Sequence, residues 1–84
     1  MNFRAEINVM PQKALLDPQG KAVHQSMQLV GLNGVESVRI GKHITVELEA
    51  ENAAEAKQKV EKACKDLLAN QVMEYFEFEL VEVN

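Results

Sequence analysis

An α+β fold, in which two helices cover one face of a four-stranded antiparallel sheet, is what this sequence predicts from three observations. Segments near the two chain ends alternate apolar and polar residues at the period of a half-buried strand. Two interior segments carry apolar residues at helical spacing, and two short β-branched runs flank a glycine between them. The 84 residues form one domain, residues 1–84, because a second core would need about fifty more.

Residues 3 to 9 put Phe3, Ala5, Ile7 and Val9 on one face and Arg4, Glu6 and Asn8 on the other, and Pro11 ends this first strand. A loop containing Leu15 and Leu16 follows. Asp17 before Pro18 signals a helix start, since the carboxylate accepts orphan N–H groups and proline suits the first helical position. The helix should run from Pro18 to about Val30 with Ala22, Val23, Met27 and Val30 as its apolar stripe and Leu29 at the margin. Asn33 and Gly34 supply the turn that stops it.

Val35 to Ile40 and Ile44 to Ala50 read as the two strands of a hairpin. A two-residue turn would split the apolar face, whereas a loop of Gly41, Lys42 and His43 aligns Ile40 with Ile44 and Val38 with Val46. Asn52 with Glu55 reads as a capping-box variant, and Ala53, Ala56, Val60, Ala63, Cys64, Leu67 and Leu68 follow at helical spacing. Glu55 with Lys59 and Glu61 with Lys65 lace the outer face at i,i+4, and Asn70 is the expected C-cap. From Val72 to Val83 the chain alternates again, with Phe76, Phe78 and Leu80 against Glu77, Glu79 and Val81.

The order β-α-β-β-α-β is the split βαβ, ferredoxin-like plan. Its last strand lies at a sheet edge and, at about twelve residues or roughly 40 Å, would outrun the first strand beside it. The tail carrying Val81 and Val83 would then lack a partner in the monomer, so sheet extension into a dimer is expected. The helix-free polar face of the sheet is a second candidate contact surface.

Charge and composition narrow the function. Nine Lys and Arg against thirteen Asp and Glu give a net charge of −4, the wrong sign for a domain that captures phosphate backbones, so nucleic acid is not an expected partner. All nine basic residues lie within residues 1 to 65, which leaves Asp66, Glu74, Glu77, Glu79 and Glu82 as an acidic C-terminal stretch. No apolar run approaches the roughly 20 residues that span a bilayer, and the chain reads as cytoplasmic. A single cysteine, Cys64, closes no intrachain disulfide and builds no thiolate metal site; among Val60, Leu67 and Leu68 it reads as a small buried hydrophobe.

His24 and His43 have no neighbouring nucleophile signature and read as ordinary surface histidines. No phosphate-cradling glycine pattern occurs. Arg39 and Lys42 beside Gly41 form a small basic point suited to an acidic group on a partner. The run Ile44, Thr45, Val46, Glu47, Leu48 has no stacking aromatic for RNA, and residues 10 to 18 have no cysteine pair for metal delivery. An ACT-like dimeric module that binds small molecules is the alternative left open.

Three ordered motifs carry a resemblance over almost the whole chain. Leu16-Asp17-Pro18-Gln19-Gly20-Lys21-Ala22-Val23, Val38-Arg39-Ile40-Gly41-Lys42, and Leu67-Leu68-Ala69-Asn70 followed by Val72 and Glu74 resemble PurS, the small-subunit family of phosphoribosylformylglycinamidine (FGAM) synthase. Met73, where the family often has isoleucine, and the phenylalanine-rich segment 76 to 78 depart mildly from it.

The resemblance implies a non-catalytic subunit in purine biosynthesis. In that family a PurL-type synthetase uses ATP and magnesium to activate formylglycinamide ribonucleotide, and a PurQ-type glutaminase releases ammonia from glutamine. The PurS homodimer, or a higher assembly of it, would bridge the two and couple ammonia transfer, with no cofactor, metal or catalytic residue of its own. The resemblance also assigns roles as expectations. Asp17, Pro18 and Gly20 set the first helix, with a contact role at its N-terminus. Arg39 and Lys42 make charge-assisted contacts to a partner subunit, and Asn70 and Glu74 shape or contact at the start of the last strand.

Overall fold

Alternation at both chain ends brings the ends together in one sheet. The computed structural model describes residues 1–13 and 17–83, so the expected loop residues Leu15 and Leu16 lie outside the described residues. Strands β1 (Asn2–Pro11), β2 (Lys42–Glu49) and β3 (Glu74–Val83) form an antiparallel sheet in the order β2-β1-β3. Helix α1 (Pro18–Leu29) joins β1 to β2, and helix α2 (Ala53–Ala63) runs into a π-helical turn, Cys64–Leu68, before β3.

Register stacks the apolar residues on one face. Ala5 stands between Val46 and Leu80, and Ile7 between Ile44 and Phe78. Val60 of α2 and Cys64 of the π turn close over them with Ala69, while Phe3, Ala50 and Ala56 form a second buried group. The caps form as the sequence predicts: Asp17 Oδ1 accepts the Gly20 N–H at 3.0 Å and Asn52 Oδ1 accepts the Glu55 N–H at 2.8 Å. Both i,i+4 pairs are present, Glu55 with Lys59 at 2.9 Å and Glu61 with Lys65 at 3.2 Å, and Lys62 with Asp66 adds a third at 3.5 Å.

Four expectations are corrected. The sheet has three strands among the described residues, because Val35 to Ile40 pairs with no strand and the expected hairpin is absent. Lys42 and His43 lie inside β2, opposite Val9 and Asn8, instead of forming a loop. The polar groups of residues 35 to 40 turn elsewhere: the His24 ring donates to the Val35 carbonyl at 2.6 Å, and the Ile40 N–H donates to Asp17 Oδ2 at 2.9 Å. The expected unpaired tail is also absent, since β1 and β3 are each ten residues long and Val83 stands opposite Asn2. Among the described residues β2 and β3 each keep an outer edge without a strand partner, while the end of β3 is paired.

The third correction concerns the helices, of which only α2 lies on the sheet. Gly20 is the one buried residue of α1, and Leu29 is 87% exposed. The molecule is accordingly long, with a radius of gyration of 16.5 Å and extents of 51 × 28 × 14 Å. A compact domain of this size has a radius of about 12 Å.

The fourth is the end of α2. Asn70 is not its C-cap; the Ala69 N–H donates to the Cys64 carbonyl at 3.0 Å, an i to i−5 bond that closes a π turn. The wider turn moves the buried position from residue 68 to Ala69, leaves Leu68 half-buried and turns Leu67 out to solvent.

Candidate partner-contact site

Asp17, Arg39, Lys42, Asn70 and Glu74 come from three separate stretches of sequence, and the fold gathers them at one end of the sheet. β1 leaves the sheet there at Pro11, directly opposite Glu74. Arg39 holds that exit: its guanidinium donates to the carbonyls of Pro11 at 2.7 Å, Gln12 at 2.8 Å and Lys13 at 3.2 Å. Three backbone acceptors in a row suit a planar, multi-donor cation better than an ammonium.

Asp17 is used twice, capping α1 through one oxygen and accepting the Ile40 N–H through the other. These amides, first Gly20 and then Ile40, with the Arg39 charge as a smaller cause, hold its carboxyl below the usual range. The pH dependence follows in sign. A lowered folded-state value contributes stability above the unfolded value of about 4 and loses it as pH falls through the folded value. Below about pH 4 we therefore expect the Ile40 and Gly20 amides to lose hydrogen-exchange protection before those of β1. Simultaneous loss in all three would contradict that role for Asp17.

Close backbone approach at this junction requires glycine. A Cβ on Gly20 would collide with the Val38 carbonyl, and one on Gly41 with the Val9 carbonyl and Met10. Asn70 and Glu74 then lock the approach to β3. Asn70 Oδ1 accepts the Val72 N–H at 3.0 Å, its carbonyl accepts the Glu74 N–H at 2.6 Å, and its own N–H donates to Glu74 Oε1 at 2.9 Å. Glu74 Oε2 lies 3.9 Å from Lys42 Nζ, a solvated pair that leaves Lys42 largely free. Asp17, Ile40, Gly41, Lys42 and Glu74, with Pro11, line a surface cleft of about 400 Å³.

Within this arrangement the Arg39 guanidinium and the Asp17 carboxylate are bound to backbone groups, and Lys42 faces Glu74 across solvent. Elsewhere, the Cys64 thiol is buried, and desolvation pushes its titration up. His43 joins a network on the open face of the sheet, donating through Nε2 to Glu6 Oε2 at 2.6 Å with Nδ1 2.7 Å from Asn8 Oδ1. The Glu6 carboxyl is lowered chiefly by that His43 bond. Among the described residues no group of three or more His, Cys, Asp or Glu could hold a metal ion, and no helix is long and apolar enough to cross a membrane.

Sequence reasoning missed Gln12, whose amide donates to the Glu74 carbonyl at 3.1 Å while its N–H reaches the Met73 carbonyl at 2.8 Å. No residue pattern marks a glutamine for that task. It also gave Arg39 to a partner, whereas the guanidinium is already engaged within the chain.

A family model described as "PurS: Phosphoribosylformylglycinamidine (FGAM) synthase" matches residues 4–82. The phosphoribosylformylglycinamidine synthase subunit PurS of Synechocystis sp. is 42% identical over 79 residues, covering 94% of this chain and 79% of that protein. That of Bacillus subtilis is 33% identical over 81 residues, covering 96% and 95%. Among solved structures, a chain of PurLQS from Thermotoga maritima superposes with a TM-score of 0.88 at 33% identity, over 96% of this chain and 99% of that one. Thermus thermophilus PurS superposes with a TM-score of 0.83 at 40% identity, over the whole of both chains.

Proposed function

This chain belongs to the PurS family of phosphoribosylformylglycinamidine synthase subunits, and we propose that it acts in the cytoplasm as a homodimeric, non-catalytic adaptor between the synthetase and glutaminase subunits. As a PurS subunit it serves FGAM synthase, the enzyme of purine biosynthesis that converts formylglycinamide ribonucleotide and glutamine to formylglycinamidine ribonucleotide and glutamate. In this reading ATP and magnesium belong to the PurL-type synthetase, ammonia is released on the PurQ-type glutaminase, and the adaptor couples its transfer. The similarity to a chain of PurLQS supports a place in such an assembly. The ACT-like alternative is not favoured, since the family match covers nearly the whole chain.

The observation that carries the dimer in this reading is the uncovered apolar stripe of α1. Val23 and Val30 are exposed, while Ile44, Val46 and Leu48 on the β2 side of the sheet are only half-buried because α1 does not lie over them. A chain of this size buries only about 60% of the surface its unfolded form exposes, less than a larger domain does, so leaving both rows open is costly. We read them as complementary between copies, with α1 of each covering the β2 side of the other.

The outer edge of β3, with Val81 and Val83, is the edge offered for sheet extension between copies. A two-fold centred on Val81 sets Glu79 opposite Val83, whereas one centred on Phe78 would set Glu77 against Glu79. Lys42, Asn70, Glu74 and the Asp17 end of α1 face the other subunits, with Arg39 holding that face in shape. Co-elution with the synthetase and glutaminase on a sizing column tests the assignment; three separate peaks at micromolar concentration would contradict it.

A further inference from the structure

Residues 35–40 run without a turn or bend and pair with no described strand of their own chain, although Val38 and Ile40 are half-buried. They cannot fold back on β2. Gly41 alone separates Ile40 from Lys42, the first residue of β2, and a hairpin needs a loop of about two residues or more. Setting Ile40 beside Ile44 within one chain would pull Lys42 and His43 away from Val9 and Asn8. The segment therefore leads into β2 from beyond its end, and the outer edge of β2 stays open.

Both have backbone groups left to pair, and the two sets match. The Ala50 N–H donates to the Met1 carbonyl at 2.9 Å, so along this antiparallel ladder Lys42, Ile44, Val46 and Leu48 share their backbone groups with β1, while His43, Thr45 and Glu47 turn theirs outward. In residues 35–40 the even positions are engaged with their own chain: the Ile40 N–H donates to Asp17, and the Val38 carbonyl lies against Gly20. Ser37 and Arg39 then turn their N–H and carbonyl groups the other way, where these have no hydrogen-bond partner among the described residues. Alternation through Gly41 also puts Val38 and Ile40 on the face of Ile44, Val46 and Leu48.

We infer that two copies exchange this segment: residues 35–40 of each chain pair antiparallel with β2 of the other about a two-fold axis at Lys42, with Ile40 opposite Ile44 and Val38 opposite Val46. Each sheet gains from the second copy the fourth strand that one chain cannot supply to itself. A second copy satisfies both needs at once, since every chain offers one segment and one edge. A two-residue slip in either direction would set Lys42 against Ile40 or Ile44. In the register given, Lys42 meets its own copy on the axis, where Glu74 lies 3.9 Å from each ammonium and offsets the repulsion. The Lys42–Glu74 faces of the two copies thereby join into one surface toward the other subunits. This rests on the dimer reading and adds the pairing to it: α1 leads into residues 35–40, so the copy that α1 covers is the copy whose β2 the segment joins. The β3 edge takes no part.

The test is Val38→Cys with Val46→Cys in the full chain, oxidised and run on a non-reducing gel beside each single variant. Opposed in a non-hydrogen-bonded pair, the two side chains come within disulfide reach. A reducible covalent dimer is expected from the double variant alone, since Cys64 is buried. A bridge inside a monomer would overturn the inference by showing the hairpin within one chain, and no bridge in a protein that light scattering finds to be a dimer would place the contact elsewhere. Hydrogen exchange on the wild-type chain gives a second reading that needs no substitution. The Thr45 and Glu47 amides should exchange more than about tenfold slower in the dimer than after dilution to monomer, whereas those of Ile44 and Val46, bonded to β1 in both, should change less. Equal rates for Thr45 and Glu47 would contradict the pairing. If the wild-type chain is a monomer at micromolar concentration, the dimer reading fails first and this inference falls with it.

Discussion

Val23→Asp combined with Met27→Asp is expected to turn the proposed dimer into a monomer at micromolar concentration while leaving the fold of the single chain intact. In the isolated chain Val23 is exposed and Met27 only half-buried, so two carboxylates cost little there. Once α1 lies on the β2 side of a second copy, the same groups would be set against the apolar row of Ile44, Val46 and Leu48. Burying an unpaired carboxylate costs several kcal/mol, and about 2.7 kcal/mol already weakens association a hundredfold. Light scattering and circular dichroism separate the outcomes. A dimer that survives the double substitution would place the contact elsewhere, and loss of helix signal would show that α1 depends on packing within its own chain.

The second large effect separates two residues that the sequence treats alike. Arg39→Ala removes a guanidinium that holds three carbonyls at the exit of β1, and hydrogen bonds to charged groups contribute about 1.5–3 kcal/mol each. We expect a net loss of about 2 kcal/mol, since water reaches part of the site, and a drop of roughly 10 °C in the unfolding midpoint for a domain of this size. Lys42→Ala removes one distant, solvated ion pair and should leave the midpoint within about a degree or two. Its cost should appear only as weaker binding to the other subunits. Equal midpoints for the two variants would contradict the division of roles, and unchanged assembly in both would remove this face from the interface.

These residues also show how far the sequence could be read. β1 and β3 were legible because strict alternation has one physical meaning when a single face is buried, and Asp17 and Asn52 were legible because caps act within three residues. Val35 to Ile40 was misread because Val38 and Ile40 alternate equally well in a strand and in an extended segment pinned by side chains. What decided between them was the carbonyl row at Pro11, Gln12 and Lys13, which no residue type announces. The π turn was hidden for a related reason, since Leu67 and Leu68 continue helical spacing and the extra residue shows only in the Ala69 to Cys64 bond. Asp17 as a cap and Arg39 with Lys42 as a basic point came from residue chemistry, the roles of Asn70 and Glu74 from resemblance, and the glycines and Gln12 that bring these parts together from the fold.

The most direct test of the adaptor is glutamine-dependent turnover of formylglycinamide ribonucleotide by the synthetase and glutaminase subunits, measured with and without this chain. Turnover is expected to require the chain and to saturate as it is titrated in, with ammonia-dependent turnover by the synthetase alone indifferent to it. Equal glutamine-dependent rates in its absence would contradict the account.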